Sequence, residues 1–109
     1  LRGDVQFLLL RWTVVQDDRA DATFEVRRNG ADAVVCVLRA QDSKRIDVGY
    51  VEIEIPPGED YTLVNYSLRT VAPAYTVEVL TCARPDELRS PGPQFPPGIA
   101  VPEQPWTSS

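Results

Sequence analysis

The chain has 109 residues, 43% of them apolar and 25% charged, a composition typical of one globular domain with a short extension. Eleven basic and sixteen acidic residues give a net charge of -5, which argues against nucleic acid as the main partner. The longest apolar run, Phe7-Leu8-Leu9-Leu10, ends at Arg11, so no segment is long enough to cross a bilayer. The chain contains no His, which excludes a Ser-His or Cys-His nucleophile.

Residues 1–82 show the two-residue hydrophobic period of β-strands. Val51, Ile53 and Ile55 alternate with Glu52 and Glu54, as expected for a strand with one face in water. No stretch keeps a helical period for three turns. The predicted strands are 5–15, 21–28, 33–41, 46–55, 61–70 and 74–82.

Turn-forming residues separate these strands at short intervals. They are Asp17-Asp18, Asn29-Gly30, Asp42-Ser43-Lys44 and Pro56-Pro57-Gly58. Six to seven short strands with frequent turns predict an all-β fold, an antiparallel sandwich of the immunoglobulin or fibronectin-III kind. A small barrel is the alternative.

The composition changes after Cys82. The last 27 residues hold seven of the ten prolines, which excludes a helix and favours an extended, proline-rich C-terminal tail. We therefore predict a β-sandwich domain at 1–82 and a tail at 83–109. Apolar residues in the tail are candidates for contact with a partner or with the domain itself, and they are Leu88, Phe95, Ile99, Val101 and Trp106.

The two cysteines lie on predicted strands, Cys36 within the third and Cys82 at the end of the last. A domain of this size buries only about 60–65% of its unfolded surface, so a covalent link would add needed stability. A Cys36–Cys82 disulfide would persist only outside the cytoplasm. The alternative is two unrelated cysteines, and two thiolates without His do not form a usual zinc site.

No catalytic or phosphate-binding motif is present, and the sequence predicts no cofactor and no metal. Asp17, Asp18 and Asp21 form an acidic cluster, but they lack the spacing of a calcium-binding loop. An Asp-rich turn accounts for the cluster equally well, and we favour that interpretation.

The order and spacing of several segments resemble a known family. The segments are Ala22-Thr23-Phe24-Glu25-Val26-Arg27-Arg28, Val34-Val35-Cys36-Val37-Leu38-Arg39-Ala40-Gln41-Asp42, Val48-Gly49, Ile55-Pro56-Pro57, Ser67-Leu68-Arg69-Thr70 and Cys82. Over roughly residues 12–82 the chain resembles the actinobacterial family known as domain of unknown function 4307.

The resemblance implies a small single-pass membrane protein. Members have a basic cytoplasmic N-terminus, one transmembrane helix and this domain on the extracytoplasmic face of the cell membrane. The resemblance therefore implies an anchoring helix before Leu1, and it supports the disulfide. The proline-rich tail departs from the family pattern, since most members end soon after the second Cys. The family supplies no activity and no catalytic residues.

Two functions follow from these observations. The first is a non-catalytic, membrane-anchored interaction domain with a protein partner, such as an accessory subunit of an envelope or membrane complex. The alternative is a module that binds a small ligand or glycan by stacking on aromatic side chains. The candidates for stacking are Trp12, Tyr50, Tyr61, Tyr66 and Tyr75. An enzyme is not expected, and the sequence does not predict the oligomeric state.

Overall fold

The computed structural model describes residues 5–90 and 92–104 and shows two antiparallel three-stranded sheets. Sheet A has the strand order β1-β2-β5 and sheet B the order β4-β3-β6. The strands are β1 (Gln6–Gln16), β2 (Arg19–Arg27), β3 (Val34–Gln41), β4 (Asp47–Ile55), β5 (Tyr61–Arg69) and β6 (Thr76–Ala83), and a 3-10 turn (Pro85–Glu87) follows.

The core forms because alternate side chains of both sheets point towards each other. On β2 the inward row is Ala20, Ala22, Phe24 and Val26, all 2% exposed or less. On β3 the inward row is Val34, Cys36, Leu38 and Ala40, all fully buried. These rows belong to the central strands of the two sheets, so the best-protected part of the core lies between β2 and β3.

The all-β prediction is confirmed. Each of the six predicted strands is present, with bounds within two residues of those expected from the sequence. The alternation of apolar and polar side chains identified the strands in the sequence, and the turn-forming residues marked their ends. The two-sheet arrangement also agrees with a sandwich rather than a single closed barrel.

The disulfide between Cys36 and Cys82 is confirmed. The two residues lie directly opposite each other on the paired strands β3 and β6, with their Cα atoms 4.0 Å apart. The link therefore joins neighbouring strands of sheet B. In immunoglobulin domains the corresponding bond runs between the two sheets. Cys36 and Cys82 are 0% and 4% exposed, so the bond is part of the core.

A buried arginine holds the β2–β3 and β4–β5 connections together. The Arg28 guanidinium donates hydrogen bonds to the main-chain oxygens of Asp32 and Ile55, each at 3.1 Å, and to Glu59 O at 3.1 Å. Gly30 belongs to the same junction because a Cβ atom there would lie 2.2 Å from Gly58 O. The close approach of the two connections explains why this turn needs glycine.

Candidate functional site

The tail, residues 84–104 as far as they are described, covers part of the outer face of sheet B. Val37 points outwards, because its neighbours Cys36 and Leu38 point into the core. Its side chain is nevertheless fully buried, and Asp47 and Tyr50 on the same face are each 6% exposed. The part of this face around Val37, Asp47 and Tyr50 is therefore shielded from water, whereas Glu52 and Glu54 remain exposed.

Hydrogen bonds show how the tail crosses this face. Ser90 Oγ lies 2.8 Å from the Tyr50 hydroxyl, and Gln94 N donates to the Asp47 carboxylate at 3.2 Å. The tail thus runs along β4 towards the end of the sandwich where β4 begins. A turn with Gly98 at φ +85° then redirects the chain, closed by Ile99 N donating to Pro96 O.

The tail next reaches the free edge of sheet A. Gln104 Oε1 accepts from Arg69 N at 2.8 Å, and Gln104 Nε2 donates to Arg69 O at 2.9 Å. The side-chain amide therefore occupies the position that a neighbouring strand would take beside β5. It satisfies main-chain groups of an edge strand that sheet A leaves unpaired.

The structure separates the predicted tail contacts into two groups. Leu88 and Phe95 are half-buried. Ile99 and Val101 remain 46% and 45% exposed, respectively. Trp106 lies outside the described residues. The tail packs on its own domain through its first part and exposes apolar side chains in its second.

The Tyr50 hydroxyl is the main polar contact under the tail. It donates to Glu52 Oε2 at 2.8 Å and faces Ser90 Oγ. Burial raises the pKa of Tyr50 above its ordinary value of 10.0, the hydrogen bond with Ser90 lowers it, and Glu52 raises it further. The balance is an increase, so the folded protein favours the neutral phenol.

This shift predicts how alkali acts on stability. Because the folded-state pKa is raised, the contribution of Tyr50 is complete below pH 10.0 and is lost as pH rises through the folded-state pKa. We expect Tyr50→Phe to lower the free energy of unfolding by about 1 kcal/mol at neutral pH, because a buried hydrogen bond is lost. The same variant should lose less stability than wild type above pH 10.0.

Urea unfolding at neutral and alkaline pH measures both effects. Tyr75→Phe is the matched control, because that side chain is 65% exposed. If the free energy of unfolding falls equally with rising pH above 10.0 in wild type and in Tyr50→Phe, the raised pKa does not belong to Tyr50.

Most of the aromatic residues expected to stack on a ligand already contact other parts of the protein. Trp12 and Tyr66 pack against the core, and Tyr50 lies beneath the tail. Tyr61 donates to Glu25 at 2.9 Å and carries the Arg27 guanidinium 4.7 Å above its ring. Tyr75, in the β5–β6 loop, is the most exposed of the five.

A shallow depression of about 310 Å³ lies on the outer face of sheet A. Its polar side chains pair with each other across the strands: Thr23 donates to Asn65 and Ser67 donates to Asp21, both at 2.7 Å. Trp12 and Tyr66 border the depression but face the core. The depression therefore offers few unpaired polar groups and no aromatic platform.

The three aspartates of the predicted acidic cluster lie in two different places. Asp21 faces the outer surface of sheet A, where Arg19 Nε lies 3.3 Å from its carboxylate. Asp17 and Asp18 form the turn itself, as the Asp-rich turn interpretation predicts. Within the described ranges, no group of three or more Cys, Asp or Glu side chains is placed to hold a metal ion.

The edge strand β1 exposes a row of large apolar side chains. They are between 38% and 55% exposed, and they are Phe7, Leu8, Leu10, Val14 and Val15. Leu10 and Val15 lie where the β1–β2 register shifts, so each adds an apolar side chain outside the regular alternation. Native edge strands usually carry charged residues, and Arg11 is the one charged residue of β1.

The fold and its surface define a small two-sheet β domain with a disulfide within one sheet and with its own tail over part of one face. The chain belongs to the family described as domain of unknown function 4307, whose model matches residues 1–82. No curated protein and no solved structure matches the chain significantly. Over residues 5–90 and 92–104 the structure contains no helix with the length and apolar character of a membrane span.

Proposed function

We propose that this chain is a non-catalytic interaction domain on the extracytoplasmic face of an actinobacterial cell membrane. In this proposal a single transmembrane helix before Leu1 anchors the domain, and the domain serves as an accessory subunit of an envelope or membrane complex. We further propose that the sandwich is of the immunoglobulin or fibronectin-III kind.

The disulfide supports the compartment. A Cys36–Cys82 bond persists in an oxidising space and is rare where thiols are kept reduced. Its position in the core makes it a structural bond, so the domain benefits from a location in which oxidation is maintained. The resemblance to single-pass proteins with an external domain points to the same location.

The apolar edge of β1 is the observation that carries the interaction function. A free strand edge offers unpaired main-chain groups, and apolar side chains beside it add surface that a partner can bury. Exposed apolar patches of this kind usually mark contact sites. Ile99 and Val101 form a second exposed apolar site on the tail, beside β4 and β5 and away from β1.

Several polar side chains that could serve chemistry are engaged in structural pairs. Arg39 is paired with Glu78 across β3 and β6, and Glu25 accepts from Tyr61. The chain also has no His to act as a general base. These features favour binding over turnover.

A pull-down from native membranes tests the proposal. We expect the tagged full-length protein to recover a stoichiometric protein partner, and Leu8→Ser/Leu10→Ser to reduce that recovery at least tenfold. Leu63→Ser is the matched control, because Leu63 is 49% exposed and Leu8 55%, but it lies on the opposite edge strand β5.

A second pair of substitutions tests the tail. Ile99→Ser/Val101→Ser should lower partner recovery without changing the melting temperature, since both side chains are exposed. Recovery of no stoichiometric partner, or equal recovery by wild type and Leu8→Ser/Leu10→Ser, would refute the proposed function.

A further inference from the structure

Three connections meet at one end of the sandwich, which we call the upper pole. They are the β1–β2 turn (17–18), the β3–β4 loop (42–46) and the β5–β6 loop (70–75). Hydrogen bonds fix their order. Thr70 N donates to Asp18 O at 2.9 Å, and Tyr75 N donates to Gln41 O at 2.7 Å. The β5–β6 loop therefore lies between the other two connections.

The two outer connections carry opposite charge. Asp17 and Asp18 are exposed on the β1–β2 turn, and Lys44 and Arg45 are exposed on the β3–β4 loop. None of these four side chains has an ion-pair partner within residues 5–90 and 92–104. The upper pole is thus acidic on the sheet A side and basic on the sheet B side.

Two other charged groups near the pole are directed elsewhere. The Asp42 carboxylate accepts from Lys44 N at 2.8 Å and from Ile46 N at 3.0 Å, so it is turned into its own loop. Arg19 is engaged with Asp21 on the outer face of sheet A. Arg69 is exposed at the end of β5, next to the acidic turn. The sheet A side of the pole therefore carries the acidic Asp17 and Asp18 and this one basic residue, and the sheet B side carries the basic Lys44 and Arg45.

Between the charged connections the surface is apolar. Tyr75 is 65% exposed, Val71 44% and Ile46 39%. Ile99 and Val101 border this surface, because the tail passes from Asp47 to Arg69 beside the pole. An apolar centre between a negative and a positive side is the pattern of a self-complementary contact.

We propose that the upper pole binds a second copy of this chain. A two-fold axis along the β5–β6 loop, in the plane of contact, would place the acidic turn of each copy on the basic loop of the other. The same operation brings Tyr75 and Val71 of both copies together. The contact is isologous, and it is separate from the β1 edge assigned to a different partner.

The expected dimer is weak and sensitive to salt. Exposed ion pairs contribute little individually, and the apolar centre consists of three exposed side chains, Tyr75, Val71 and Ile46. We expect dimerisation of the full 109-residue chain in sedimentation velocity between about 20 µM and 1 mM. Raising the ionic strength from about 0.05 to 0.5 M should weaken it several-fold.

Charge exchange between the two sides tests the geometry. Lys44→Glu/Arg45→Glu places acid against acid, and Asp17→Lys/Asp18→Lys places base against base, so each variant alone should dimerise at least tenfold more weakly. An equimolar mixture of the two variants restores opposite charges at both contacts. We expect the mixture to regain wild-type dimerisation as a heterodimer.

Two further variants test the apolar centre. Tyr75→Ser should weaken the dimer at least tenfold, whereas Leu63→Ser, at 49% exposure away from the pole, should not. Melting curves confirm that each variant is folded. The proposal is overturned if the chain stays monomeric up to about 1 mM or if neither charge reversal weakens dimerisation. It is also overturned if the equimolar mixture does not dimerise like the wild type. Purified protein is sufficient, so failure here is distinct from failure to recover a membrane partner.

Discussion

Removing the disulfide with C36A/C82A is expected to lower the free energy of unfolding by about 4 kcal/mol. The bond joins residues 46 positions apart, and closing a loop of that length restricts the unfolded chain by about this amount in the chain-entropy model. For a domain of this size the loss corresponds to a fall of about 15 to 30 °C in melting temperature. Urea unfolding and calorimetry measure both quantities.

The reduced wild-type protein is the control that separates the link from the packing of the sulfur atoms. Reduction breaks the bond and leaves both side chains in place, whereas C36A/C82A also removes two buried sulfurs. We expect reduction to account for nearly all of the loss of about 4 kcal/mol, because the restriction on the unfolded chain disappears in both cases. Any remaining difference measures the packing of the two sulfur atoms. Equal stability of oxidised and reduced wild type would show that the bond is not structural.

The pairing of Cys36 with Cys82 could be anticipated, but its position within one sheet could not. Strand alternation identifies which residues face the core, and it places both cysteines on strands. It does not determine which strands are neighbours. That depends on how β3 contacts β4 and β6 across long stretches of chain, and the Cys36–Cys82 register follows from this topology.

For the tail, the sequence predicts the conformation of the chain but not the path that it takes over the domain. Proline density predicts an extended chain, and the described residues from Leu88 onwards form neither strand nor helix. Its course depends on isolated polar contacts with distant residues, such as Ser90 with Tyr50 and Gln104 with Arg69. Such contacts produce no periodic pattern in the sequence, so they could not be predicted from it. The apolar residues Val35 and Val37, in the outward row of β3, are the local sequence signals that part of this face is covered.

The contacts of Arg28 could not be predicted from the sequence. Alternation continues the inward row of Phe24 and Val26 to Arg28, but it does not show which main-chain oxygens a buried guanidinium reaches. The structure shows 8% exposure for Arg28 and hydrogen bonds to main-chain oxygens of three separate residues. Arg28→Met is expected to lower the free energy of unfolding by about 3 kcal/mol, since those oxygens lose a charged donor in a buried site. Urea unfolding measures the change.

Arg27→Met is the matched control. Arg27 is exposed and its described contact is with the Tyr61 ring, so its loss should cost about 0.5 kcal/mol. Arg28→Lys keeps the charge but not the planar fork that reaches Asp32, Ile55 and Glu59 together, so we expect an intermediate loss. If Arg28→Met and Arg27→Met are equally stable, the junction does not depend on the guanidinium. The packing of Gly30 against Gly58 would then be what holds the two connections together.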